Sequence, residues 1–259
     1  MNIIGNIYID GFANIETLDG KSHRINKLSF GGFCNIFSED FLEQNEDLLG
    51  KLKVHCFTNE SILKMWKSTL KKGLKIEINH FESLNNPPVA VIVESHGSRT
   101  SFVLFDQPFK VNNFNFDKND NLIFYGDKII IENASRTSSG KFYIDTAGNN
   151  YSDLLFPDNH YPRGSILSIS SEYLTKELEN RYLKDLGFAI ISHNPKLTNL
   201  YIGDNIITIE NEYFRNNKSS KITGLGDKFF LLISIYNSCY NLSLEESIKI
   251  AQKKISDLF

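Results

Sequence analysis

The chain has 259 residues and a mass of 29.6 kDa, enough for one large domain or two small ones with a sizeable core. A hydrophobic fraction of 41% excludes wholesale disorder, and a net charge of −3 gives no footprint for a polyanionic partner such as nucleic acid. Three scattered cysteines (Cys34, Cys56, Cys239) without a CxxC pattern or zinc-like histidine spacing predict free, mostly packed thiols in a reducing compartment. The start "MNIIGNIYID" lacks a basic n-region, and no apolar run approaches the roughly 20 residues that cross a bilayer, so a cytoplasmic protein without membrane partners is expected.

In chain order, "NIIGNIYI" from Asn2 reads as an apolar strand leading to Asp10. On the residues alone, Asp10 serves as well to cap a strand-to-loop turn as to hold a polar ligand. From about Phe12 to Leu28 the pattern is irregular, with a turn at "LDGK". In "SFGGFCNIF", Gly31 and Gly32 mark a turn, and Asn35 can satisfy loop backbone. "KVHCF" from Lys53 is a second strand. "NESILKMWKSTLKKG" then places Ile62, Met65, Trp66 and Thr69 on one helix face and stops at Gly73, a C-terminal cap. Residues 74–105 read as a meander: "LKIEIN", "PVAVIVE" and "SFVLF", with Arg99 in the turn "SHGSRT". Such strands inserted into an α/β domain often form a small separate sheet used as a lid.

Further on, "KIIIE" from Lys128, "KFYID" from Lys141, "ILSIS" from Ile166 and "FAIIS" from Phe188 are short and apolar on nearly every position. That pattern fits strands buried on both faces. "SEYLTKELENRYL" carries helical spacing through Leu174, Leu178 and Tyr182. Near the end, Ser243 and Glu246 form a capping box ahead of an apolar stripe through Leu244, Ile248, Ala251, Ile255 and Leu258. Strand–helix alternation predicts one α/β domain over 1–259 with a mostly parallel sheet, with lid segments at about 12–28 and 74–105 inserted in it.

"SSKITGLGDKFFLLISIY", from Ser219, carries the densest chemistry. Amides at a helix start lack intrahelical acceptors and sit at the positive end of the dipole. Gly224 and Gly226 would let a phosphate approach such amides closely. Asp227 beside an anion pocket needs a task, and taking a proton from an attacking hydroxyl is one. Read alone, the same four residues also fit a glycine turn with Asp227 as its helix N-cap.

"ITGLGDKFF" resembles the C-terminal TGxGDxF signature of ribokinase-like (PfkB-type) sugar kinases. Other pieces follow in the family's order. "IIGNIYIDGF" resembles its first strand, ending in Asp10. "SFGGFCNIF" resembles its second motif, with Gly31, Gly32 and Asn35. "VAVIVESHGSRTSFVLFD" resembles its lid hairpin, with Gly97, Arg99 and Thr100, and "KFYIDTAGN" the strand that ends in Asp145. The resemblance implies a three-layer α/β/α domain with a small β-sheet lid. It implies that Asp10, Gly31, Gly32, Asn35 and Arg99 bind a sugar or nucleoside-like acceptor. It assigns the backbone at Gly224, Leu225 and Gly226 as an anion hole and Asp227 as general base. ATP with Mg²⁺ would be the donor, the metal held by phosphates and water rather than protein ligands, with Thr223, His193, Asn194 and Glu172 on the nucleotide side. A monovalent cation and a homodimer through the lid also belong to the family picture.

Several positions depart from that pattern. Lys221 stands where the signature is preceded by an acid, and Leu231 and Leu232 replace small residues in the helix. The family's Asn-x-x-Glu survives at best as Glu172, with Ile169 at the asparagine position. "HNPKLTN", starting at His193, replaces a glycine-rich nucleotide loop. Two classes follow: a kinase acting on a hydroxyl of a sugar, sugar-like metabolite or nucleoside, or a binding and regulatory protein on the same fold.

Overall fold

The computed structural model describes residues 1–14, 27–50, 52–70, 76–82, 89–95, 98–104, 116–125, 128–146, 161–213 and 224–258. Its strands are β1 (Asn2–Asn14), β2 (Lys27–Gly32), β3 (Lys53–Thr58), β4 (Glu77–Glu82), β5 (Val89–Ser95), β6 (Ser98–Leu104), β7 (Leu122–Tyr125), β8 (Phe142–Asp145), β9 (Ile166–Ser170), β10 (Ala189–His193), β11 (Leu197–Ile202) and β12 (Asn205–Glu210). Its helices are α1 (Glu39–Gln44), α2 (Glu46–Leu49), α3 (Glu60–Thr69), α4 (Lys128–Ser135), α5 (Lys176–Asn180), α6 (Leu225–Cys239) and α7 (Leu244–Ser256).

The core sheet runs β12-β11-β10-β9-β8-β7-β1-β3-β4, parallel from β10 to β4 and antiparallel at β11 and β12. The parallel strands are short and apolar because helices cover both faces. On one face, Ile3, Val54, Ile123 and Tyr143 pack with Trp66 of α3, Phe230 to Ile233 of α6 and Ile248 of α7. On the other, Ile4, Phe124, Phe142 and Leu167 pack with Ile131 and Ala134 of α4 and with Tyr182. Sheet between two helical layers is the expected α/β/α arrangement.

β1 is the structural hinge between two sheets. Its first residues pair with β3 and β7 in the core, while Ile7 onward pairs antiparallel with β2, and Ile9 onward parallel with β5. β2, the far half of β1, β5 and β6 therefore form the small lid sheet. Asp10 does not end the strand, as the sequence suggested; it sits within it, where β1 has passed into the lid. Gly5 marks the core side of that passage. A Cβ there would stand 2.8 Å from Phe33 Cδ1, so only glycine lets the 3₁₀ turn Phe33–Phe37 press onto the strand. Phe33 and Phe37 in turn meet Trp66 edge-on, with centroids 5.5 and 5.4 Å apart. Fully burying one such ring stabilises the fold by about 3 kcal/mol.

Two expectations are corrected. "KIIIE" is not a strand but the first turns of α4; the helix's buried Ile131 and Ala134 are spaced for a helix, a distinction that so short an apolar run does not carry. The strand is the preceding "LIFY", β7, buried at every position. Residues 74–105 do not form one meander either. β4 follows α3 and pairs parallel with β3 in the core sheet, a β-α-β unit, so β5 and β6 alone from that segment build the lid.

Smaller differences are local. α3 buries Ile62, Leu63 and Trp66, while Met65 faces solvent, and the helix ends at Thr69. α5 begins later than its pattern suggested, with the Thr175 hydroxyl accepting the Leu178 amide, and runs into a π turn over Arg181–Asp185. The capping box of α7 forms as expected, with Ser243 and Glu246 each bonding the other's backbone. Gly73 and the "LDGK" turn lie outside the described residues. No helix among the described residues is long and apolar enough to cross a membrane.

Candidate active site

The carboxyl ends of β7, β8, β9 and β10 line up along one edge of the core sheet, the edge where ligands bind in open α/β sheets. Helix α6 starts at this edge. Gly224 is its N-cap, at φ +79°, in the left-handed region that favours glycine. A Cβ at Gly224 would also stand 2.4 Å from the Asn35 Cβ and 3.1 Å from Asp227 Oδ2. Both the turn and the close approach therefore require glycine.

Its N-cap, a glycine, has no side chain to cap the helix. The Lys228 amide bonds the Gly224 carbonyl, closing the first helical turn. The Leu225 and Gly226 amides precede that bond and have no acceptor within the helix, which leaves them suited to an anion. Asp227 is thus not the N-cap that a bare glycine turn implied; it is the third residue of the helix, beside those amides.

Asn35 and Tyr125 both hold Asp227. The Asn35 amide donates to its Oδ2 at 3.3 Å, and the Tyr125 hydroxyl donates to its main-chain oxygen at 2.9 Å. Tyr125 sits at the end of β7, level with Asp145 on β8 and Gly5 on β1. Burial pushes its pKa well up, and the charges of Asp145 and Asp227 push the same way, so it remains a protonated donor. Tyr125 is not among the residues the sequence singles out; its one local signal is the short aromatic run "LIFY" that it ends.

On the lid side, Asp10 is buried, and its carboxylate lies directly over Gly31, where a Cβ would stand 2.0 Å from Oδ2. Gly31 pairs with Tyr8 and Ser29 with Asp10, so β2 carries the glycine pair from the lid straight into the turn that delivers Asn35. Asn35 in turn touches Gly224 and Asp227. The structure therefore brings the second motif and the α6 signature into contact, with Asp10 on the adjoining stretch of β1.

The residues after β10 divide. His193 reaches the α6 start: its Cε1 would lie 3.4 Å from a Cβ on Gly226, its ring meets Phe229 edge-on, and its Nε2 faces the Ser168 hydroxyl at 3.2 Å. Burial lowers its pKa to about 4, so the ring backing the turn is neutral. Asn194 instead builds the β10–β11 hairpin, its Oδ1 accepting the Lys196 and Leu197 amides and its Nδ2 donating to Ser171. Glu172 lies in the turn after β9, where it accepts from the Ser170 hydroxyl. Gly97, Lys221 and Thr223, and the side chain of Arg99, lie outside what is described. Among the described residues, no three histidines, cysteines or acids cluster as a metal site.

No protein-family model and no curated protein matches the sequence. Solved structures do match in fold over nearly the whole chain. A sulfate complex of a pyrophosphate-dependent kinase in the ribokinase family superposes with a TM-score of 0.69 at 16% identity, covering 100% of this chain and 95% of that one. Ribokinase from Thermotoga maritima gives 0.67 at 12% identity, covering 98% and 91%. The nucleoside kinase of Methanocaldococcus jannaschii gives 0.65 at 17% identity, covering 98% and 90%. The chain has the ribokinase-like fold.

Proposed function

We propose that this chain of ribokinase-like fold is a kinase that transfers the γ-phosphoryl group of ATP to a hydroxyl of a sugar or sugar-like metabolite. The observation that carries this reading is Asp227, a carboxylate held by Asn35 at the glycine-capped start of α6. The fold neighbours are kinases whose acceptors include ribose, inosine and myo-inositol, which supports the acceptor class.

In this reading Asp10, Gly31, Gly32 and Asn35 hold hydroxyls of the acceptor, and Arg99 approaches it from the lid. Asp227 takes the proton of the attacking hydroxyl as its oxygen bonds the γ-phosphorus, and the bond to the bridging oxygen of ADP breaks. The Gly224–Gly226 main chain meets the charge that grows on the transferred group. Mg²⁺, held by the donor's phosphates and water, would neutralise the same oxygens. Thr223 and Glu172 belong to the donor side, and neutral His193 props the Gly226 turn. The lid edges at β2 and β6 offer backbone for a homodimer.

A second reading of the donor is pyrophosphate. It is favoured by a fold neighbour that depends on pyrophosphate and by the commitment of Asn194 to its hairpin instead of a nucleotide loop. The test is a panel of sugars, polyols and nucleosides with ATP or pyrophosphate, run on the parent and on Asp227→Asn, with binding measured in parallel. Loss of nearly all turnover with acceptor binding kept is expected of a missing base. Acceptor binding without turnover on either donor would make the chain a non-catalytic binding protein instead.

A further inference from the structure

Lys228 follows the candidate base directly and has no part in the reaction proposed above. It is 2% exposed, and among the described residues its ammonium makes no hydrogen bond or ion pair. What it has instead is the face of Phe41, 5.9 Å from ammonium to ring centroid. Burial lowers its pKa, while the charges of Asp227 and Asp40 oppose that shift. A buried cation without a counter-ion is costly, and charges so placed are ordinarily paired.

Lys228 lines a cavity of about 490 Å³ between β2, the 3₁₀ turn, α3 and the end of the chain. Phe30, Phe37, Trp66 and Leu258 supply apolar walls, and Asp40 also lines it. The volume suits a small organic molecule, and a mostly apolar lining with a few polar groups, here Lys228 and Asp40 among them, is the usual make-up of such a site. Asn35 lines it too, so this cavity and the Asp227 cluster share one wall.

We propose that this cavity is a second ligand site that binds a small organic monocarboxylate, its carboxylate on Lys228 and its apolar body against Trp66 and Phe37. Charge sets the class. The buried Lys228 ammonium calls for an anion, while Asp40 on the same wall opposes negative charge and does so about twice as strongly for a phosphate dianion as for a single carboxylate. The apolar walls favour a ligand with a hydrocarbon or aromatic body over acetate. The site does not depend on phosphoryl transfer, so its test reads binding alone.

The test is calorimetric titration of the full chain with phenylacetate and hexanoate, each beside its amide, and with acetate and inorganic phosphate. The two larger carboxylates are expected to bind about tenfold or more tightly than their amides, and more tightly than acetate or phosphate. Lys228→Met should abolish that preference. Because removing an unpaired buried charge leaves a fold neutral or more stable, its melting temperature should not fall. Thr69→Trp, which fills the cavity and leaves Lys228 in place, should weaken carboxylates and amides alike. The proposal is overturned by any of four results: no binding of either carboxylate at millimolar concentration, equal binding of carboxylate and amide, tightest binding by phosphate, or undiminished carboxylate binding in either variant.

Discussion

Asn35 and Asp227 lie 192 residues apart in the chain, yet the amide of the first donates to Oδ2 of the second across 3.3 Å. The bond ties the carboxylate at the α6 start to the turn that carries Asn35. Replacing Asn35 by Asp would put two carboxylates in that contact. One of a pair so close holds its proton to higher pH. The acidic limb of the kcat/KM profile should therefore move up by about one pH unit or more. A limb that stays in place would separate Asn35 from the proton transfer.

Gly31 tests the lid side. The Cβ of Gly31→Ala would overlap the Asp10 carboxylate, at 2.0 Å from Oδ2. Overpacking of this kind costs about 1–3 kcal/mol. If Asp10 grips the acceptor, KM for the acceptor should rise about tenfold or more while the KM for donor changes little. An unaltered acceptor KM would remove Asp10 from the site.

The two glycines at the α6 start should respond differently. Gly224→Ala meets both a φ of +79° and a 2.4 Å contact with Asn35 Cβ, so it should destabilise the fold by about 2 kcal/mol or more and cut turnover by about 100-fold. In Gly226→Ala, the new Cβ meets His193 Cε1 at 3.4 Å, an ordinary contact, and alanine favours the helix by about 0.5–1 kcal/mol. Urea melts of both variants check this. Equal destabilisation would show that the strain at Gly224 is not what sets its identity.

Acid should weaken the fold through two histidines. His55 and His193 are each lowered from 6.5 to about 4, chiefly by burial. As pH falls below 6.5 the unfolded chain takes up protons that the native rings refuse, so stability declines between 6.5 and about 4 and then levels off. Each ring accounts for up to about 3 kcal/mol of that loss. Denaturant unfolding at several pH values should show the decline, and His55→Gln with His193→Gln should flatten it. A slope that persists in the double variant would assign acid sensitivity to other groups.

The site was legible where its logic is local. A glycine at 224 and an apolar run behind Asp227 announce a helix start with exposed amides, and the structure has one there. The Gly31–Gly32 pair announces a turn, but both glycines end strand β2, and the 3₁₀ turn that carries Asn35 begins just after them. Tyr125 and the His193–Ser168 contact were not legible. Each depends on which strand lies beside which, and a short apolar run such as "KIIIE" or "LIFY" does not say whether it is helix or strand.

What the sequence determined by itself is the set of backbone states and caps: glycine where φ is positive at Gly224, the Ser243–Glu246 box, and buried parallel strands written as unbroken apolar runs. These follow from interactions within a few residues, which fixed spacing encodes. What only the tertiary structure decided is the company each group keeps. β4 joins the core because α3 returns the chain parallel to β3, Asp10 meets Gly31 across a lid pair, and Lys228 is buried in a cavity wall built from β2, α3 and the chain's last turn. Such neighbours are set by strand order and layer packing, which sum many weak contacts over the whole chain and leave no mark at any one position.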